Sequence, residues 1–114
     1  MKLNLKKKPR IFFPRGDKKI KIKDLGDIEL MPDEQLTFVK HSGARFDFVS
    51  KDWGFYATPS VNKRLRSENF KTAIVQNSNH SIYIMVVEIE KLKLFEAYCK
   101  MEDQKILEWL DERR

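Results

Sequence analysis

A chain of 114 residues with 41% hydrophobic and 35% charged side chains fits one domain, and at that size roughly 65% of the unfolded surface can be buried. Its one cysteine, Cys99, rules out an intrachain disulfide, and its longest apolar run, Ile82 to Val87, is far short of the roughly 18 residues of a membrane helix. The net charge of +6 is concentrated at the start: residues 1–23 hold ten Lys or Arg and one Asp, and the rest hold 13 basic and 16 acidic side chains.

The first element is basic. Met1-Lys2-Leu3-Asn4-Leu5-Lys6-Lys7-Lys8 has the charge of a secretory leader, but no apolar stretch of the usual length follows it. A cytoplasmic location is therefore expected, in keeping with the cysteine usage. Residues 1–9 read as a flexible basic arm, and residues 10–114 as a single domain. Lys6, Lys7, Lys8 and Arg10 are the residues that would meet the phosphates of a nucleic acid. Ile11-Phe12-Phe13 is expected to dock rather than move.

Strands come next. Gly16-Asp17 marks a turn, and Lys19-Ile20-Lys21-Ile22-Lys23 alternates with the period of a half-buried strand. Asp24 to Asp27 reads as a second turn around Gly26. Ile28-Glu29-Leu30 alternates briefly before Pro32 removes a backbone donor. Gln35–Lys40 and Arg45–Ser50, joined across Ser42-Gly43, form a hairpin. Phe46 and Phe48 would share one face of it and Asp47 the other. Trp53–Ala57 is a further strand, ended at Thr58-Pro59 because a residue before proline is pushed to extended geometry.

Residues 60–69 read as a loop or one helical turn. Thr72–Gln76 and Ser81–Glu88 form the next strand pair, with Asn77-Ser78-Asn79-His80 as the turn. Both faces of Ser81–Glu88 are apolar, so that strand is expected at the centre of a sheet. After Glu88 the period changes. Leu92, Phe95 and Cys99, with Leu94, Tyr98 and Met101, recur at helical spacing, and Ile106, Leu107, Trp109 and Leu110 suggest a second helix. Glu102-Asp103 would break the two, the alternative being one continuous helix. The fold class is thus α+β: a curved, mainly antiparallel sheet followed by two C-terminal helices.

Reaction chemistry is hard to find. His41 and His80 have no His or Cys at metal-ligand spacing, and no phosphate-binding glycine loop occurs. His80-Ser81 is adjacency, whereas nucleophilic triads are made by geometry. Asp24 with Asp27, and Asp33 with Glu34, sit in turns where acids serve the backbone. Cys99 falls on an apolar helix stripe. No catalytic residue, metal or cofactor is assigned.

Residues 53–66 are different. Trp53-Gly54-Phe55-Tyr56-Ala57-Thr58-Pro59-Ser60-Val61-Asn62-Lys63-Arg64-Leu65 mixes aromatic faces, neutral polar groups and cations. In one reading Trp53, Phe55 and Leu65 are core, Pro59 forms a turn, and Lys63, Arg64 and Arg66 are solvated. In the other, Tyr56, Thr58, Ser60, Asn62 and Arg64 rim a binding groove, with Arg64 offering a planar fork to a carboxylate or phosphate. Tyr56 and Thr58 alternate with Phe55 and Ala57 and would face one way together.

The run Trp53 to Asn62 with Arg64-Leu65, the segment Ile82-Tyr83-Ile84-Met85-Val86-Val87-Glu88 and the closing Trp109-Leu110-Asp111 resemble small uncharacterised bacterial proteins over roughly residues 25–112. The resemblance implies an accessory role in surface-sugar biosynthesis and brings no catalytic residue or cofactor. Three functions follow. The first is a non-enzymatic binding or accessory protein that recognises a protein partner or an anionic small ligand through residues 53–66, with a homo-oligomer as a further option. The second is a nucleic-acid binder using the basic arm, with exposed aromatics stacking on bases. The third is a small sugar-active or acyl-active enzyme with an unrecognised site.

Overall fold

The structure is a computed structural model that describes residues 1–14 and 19–114. Its strands are β1 (Lys2–Phe12), β2 (Ile22–Glu29), β3 (Gln35–Val39), β4 (Arg45–Lys51), β5 (Gly54–Ala57), β6 (Phe70–Gln76), β7 (Ile82–Glu88) and β8 (Lys105–Trp109). A one-turn helix α1 (Arg64–Ser67) precedes β6, and α2 (Leu92–Met101) lies between β7 and β8. The sheets run β1-β2, β3-β4-β5 and β7-β6-β8, so the class is α+β. The chain divides into two compact units, Met1–Leu36 with Phe48–Tyr56, and Thr37–Asp47 with Ala57–Arg114.

In the first unit, Lys2 to Pro9 of the expected basic arm lie in strand β1, antiparallel to β2. The basic run is accommodated by an irregularity. Between the Leu5–Gly26 and Arg10–Asp24 pairs β1 has four residues, Lys6 to Pro9, whereas β2 has only Leu25. Pro9 has no N–H to give to a ladder, so it suits such a bulge. The turn expected at Asp24–Asp27 lies inside β2, and its turn chemistry persists there. Gly26 N–H donates to Asp24 Oδ1 at 3.1 Å. Gly26 has φ +134°, and a Cβ there would fall 2.1 Å from the Asn4 carbonyl oxygen, so only glycine fits. The alternating lysine segment enters β2 only from Ile22. The Gly16-Asp17 turn lies outside the described residues.

In the second unit β6 is the central strand, paired antiparallel with both β7 and β8. Ala73 and Val75 are 0% exposed and Thr72 1%, so the core sits on β6. Strand β7, expected at the centre, is an edge: Ile82, Tyr83 and Ile84 are all exposed. Its uniformly apolar sequence therefore reflects something other than burial on both faces.

The expected second C-terminal helix is strand β8. The helix-like spacing has a physical source. The β6–β8 register shifts between Ile74 and Val75, so that Ile106 opposes Val75 and Trp109 opposes Ala73. Skipping Leu107 puts Ile106 and Trp109 on one face three residues apart, which imitates helical period. Helix α2 lies over this face, with Phe95 edge-on to Trp109 at 5.9 Å. Its end is a Schellman motif: Gln104 N–H donates to Cys99 C=O at 2.8 Å, Asp103 N–H to Lys100 C=O at 3.4 Å, and Asp103 takes φ 53°. Glu102-Asp103 thus stops α2 and starts no second helix.

Candidate functional site

Five residues were expected to rim a groove, and the unit boundary passes among them. Tyr56 belongs to the first unit; Thr58, Ser60, Asn62 and Arg64 belong to the second.

The second-unit residues are built around Arg64. Pro59 is buried and ends the extended run. Ser60 then prepares α1: its Oγ accepts from Arg64 N–H at 3.0 Å, and its carbonyl accepts from Leu65 N–H at 3.0 Å. Leu65 is 1% exposed and anchors the turn in the core. Arg64 is thereby fixed between two acids. Its NH2 group donates to Asp47 Oδ2 at 2.5 Å and its Nε to Glu68 Oε1 at 2.9 Å. These bonds, to Asp47 first and Glu68 second, raise the guanidinium pKa further above its ordinary value.

Asp47, read on the face opposite Phe46 and Phe48, is 6% exposed. A hydrogen bond with the Thr37 side chain, then the bond from Arg64, hold its carboxyl below the usual range against the opposing effect of burial. Thr58 closes the same cluster, its N–H donating to the Asp47 carbonyl at 3.1 Å and its hydroxyl to the same oxygen at 3.5 Å. Three of the expected ligand contacts, Thr58, Ser60 and Arg64, are thus engaged in holding the chain. Asn62 is exposed.

Beside this cluster lies a shallow cavity of about 290 Å³ lined by Gly43, Ala44, Arg45, Arg64, Glu68 and Phe70. Arg64 reaches it already neutralised. An anion entering there would face the Glu68 carboxylate as well as Arg45, so the cavity is a poor anion trap. The carboxylate that decides this, Asp47, was missed. An aspartate between two phenylalanines reads as the polar face of a strand, and only its partner on α1 turns that face inward.

The aromatic half of the segment behaves in the opposite way. Trp53 is 68% exposed, Phe55 74% and Tyr56 44%, so the reading that made Trp53 and Phe55 core is overturned. Gly54, at φ +149°, gives the β4–β5 turn a conformation that side-chain-bearing residues rarely adopt. Across it Trp53 and Tyr56 stack, with ring centroids 6.1 Å apart and planes 15° from parallel. The base of the turn is pinned within its own unit, where Asp33 N–H donates to Ser50 C=O at 2.7 Å and Ser50 N–H to Glu34 C=O at 3.0 Å. Lys51 also forms an ion pair with Asp33.

The basic residues of β1 are all exposed. Arg10 is committed, with its Nε 3.2 Å from Asp24 Oδ2 and its guanidinium 4.6 Å from the Phe12 ring centre. Lys6, Lys7 and Lys8 project from the irregular stretch of the ladder. Cys99 is buried, and burial, followed by the charge of Glu96, pushes its thiol pKa up and away from reactivity. Among the described residues, no three His, Cys, Asp or Glu side chains are grouped to hold a metal ion. No helix among them is long and apolar enough to cross a membrane. No family model, curated protein or solved structure matches this chain.

Proposed function

We propose that this chain is a non-enzymatic binding protein that engages a protein partner through the aromatic turn at Trp53, Phe55 and Tyr56. The observation that carries the reading is the exposure of three large rings within four residues of a tight turn. Trp and Tyr are the side chains that most often supply concentrated binding energy at protein interfaces. The Trp53–Tyr56 stack limits the freedom of both rings before contact, which lowers the entropy lost on binding. The engagement of Arg64 by Asp47 and Glu68 favours an apolar partner surface over an anionic small ligand. The resemblance of residues 53–65 to small uncharacterised bacterial proteins implies an association with surface-sugar biosynthesis, which suggests where such a partner is to be sought.

A photo-reactive side chain placed at Phe55 tests the reading in the native host. The expected result is one discrete cross-linked protein, lost when Trp53→Ala is added and retained with Arg64→Ala. A reactive group at Leu94, which is 69% exposed, serves as the control. The same cross-linking pattern from Phe55 and Leu94 would defeat the proposal.

A second reading is single-stranded nucleic acid, favoured by the presence of the stacked aromatic pair and the Lys6-Lys7-Lys8 projection in the same unit. Bases stack on exposed rings while lysines follow the phosphates. Titration with single-stranded DNA and RNA would then show steeply salt-dependent binding, weakened by Lys7→Glu with Lys8→Glu. No binding at low salt removes this reading.

A further inference from the structure

The two edges of the β7-β6-β8 sheet are built differently. Strand β8 is guarded against pairing with another chain: it has five residues, carries Lys105 and Glu108, and its register with β6 is broken by a bulge. Such features blunt an edge. Strand β7 is longer and regular, and its one charge, Glu88, stands at its very end. Its seven residues pair with β6 without a register shift. From Ser81 to Val87 there is no charge, no proline and no glycine. Ile82 is 60% exposed, Tyr83 46% and Ile84 69%. Alternate backbone N–H and C=O groups on its outer side face away from β6, and among the described residues no further strand of this sheet receives them.

We infer that the β7 edge is a homodimer interface, occupied by β7 of a second copy of this chain running antiparallel about a two-fold axis at Ile84. Self-pairing about that residue sets Ile84 against Ile84, Tyr83 against Met85 and Ile82 against Val86 of the second copy. Each is an apolar or aromatic–apolar pair of the kind that stabilises neighbouring strands. The charge pattern favours a second copy over an unrelated strand. The uncharged run ends in His80 on one side and Glu88 on the other. Antiparallel self-pairing sets His80 of each copy near Glu88 of the other, whose carboxylate is already held by Lys40 and Ser42 of its own chain, so no like and no unpaired charges are set against each other. The two-fold arrangement is closed. It yields one continuous sheet of order β8-β6-β7-β7-β6-β8, whose only free edges are the two guarded β8 strands. The uniformly apolar sequence of β7 then has its explanation, since the strand is central in the dimer.

Sedimentation of the full chain across a dilution series tests the state, and a cysteine at the axis tests the register. The expected mass is twice that of the chain, falling to the single-chain mass for Ile84→Lys with an unchanged circular dichroism spectrum. Opposed residues of antiparallel strands lie about 4.5–5.5 Å apart at Cα, inside the roughly 4.4–6.8 Å that a disulfide spans. Ile84→Cys, oxidised with glutathione disulfide, should therefore give a covalent dimer rapidly. Leu94→Cys, equally exposed on α2, should not. Native Cys99 is 4% exposed and does not compete. A wild-type monomer at every concentration overturns the proposal, and so does Ile84→Cys cross-linking no faster than Leu94→Cys. Should Ile84→Lys fail to fold, the cross-linking rates decide alone.

Discussion

Strands β1 and β6 are both antiparallel and both hydrogen-bonded, yet they are stabilised in different ways. In β6, Ala73 and Val75 are fully buried, and the strand has a partner on each side. In β1 every residue from Lys2 to Ile11 is exposed, and among the described residues it pairs with β2 alone. The comparison separates pairing from burial. A ladder forms wherever backbone groups meet in register, but a two-stranded ribbon has little of the apolar packing that makes a sheet stable in water. The β6 sheet is held by side chains. The β1–β2 ribbon is held by local geometry: the glycine contact at Gly26, the Asp24 hydrogen bond to its N–H, and the Arg10–Asp24 pair. The two should respond to different perturbations.

The largest effect is expected from Leu65→Ala. Leu65, on α1, is 1% exposed, and removing such a side chain costs about 2–5 kcal/mol. Chemical denaturation should show this loss, with hydrogen exchange quickening along β6. A loss below about 1 kcal/mol would mean that the second unit does not depend on this packing.

Gly26→Ala probes the ribbon. The added methyl meets the Asn4 carbonyl, and φ +134° is strained for alanine. Amide exchange should rise across β1 and β2 and stay unchanged in β6. Equal acceleration in both strands would show that ribbon and sheet open together, and the contrast between them would fail.

Arg64→Ala is expected to lower the melting temperature at neutral pH by less than Leu65→Ala. Its pH dependence has a definite sign. Asp47 titrates lower in the folded chain than the roughly 3.9 of an unfolded aspartate, partly because of Arg64. The stabilisation is therefore complete above that value and is lost as pH falls through the lower, folded one. The gap in melting temperature between wild type and Arg64→Ala should narrow below about pH 4. A gap independent of pH would detach Arg64 from Asp47.

Trp53→Ala should change stability least, within about 0.5 kcal/mol, because the ring is 68% exposed. A thermal melt decides. A loss of several degrees would place Trp53 in a core and remove the basis of the aromatic contact surface.

Much of the local structure was legible. The hairpin at Ser42-Gly43, the turn at Asn77–His80 and the helix beginning at Leu92 all announce themselves by turn chemistry or period. Asn77 Oδ1 accepts from the N–H groups of Asn79 and Ser81, as an asparagine turn should, and His80 adopts φ 66°. What could not be read were long-range choices. Whether β7 is centre or edge depends on where β8 pairs, and β8 was disguised as helix by the bulge at Leu107. The candidate site failed in part for the same reason. Arg64 looks free until Asp47, 17 positions earlier, is found facing inward. Trp53 looks like core because large aromatics usually are, and only the turn at Gly54 shows it standing in solvent.

The irregular stretch of β1 has a consequence for how the chain can be altered. Pairing is in register up to Leu5–Gly26 and resumes at Arg10–Asp24. Lys6 to Pro9 therefore bulges opposite Leu25 alone, enclosed by two paired ends. Lengthening a closed loop is cheap, about 0.6 kcal/mol for each doubling. A tag or a small domain spliced between Lys7 and Lys8 would leave both halves of the ladder where they are, making this stretch a natural port for added cargo.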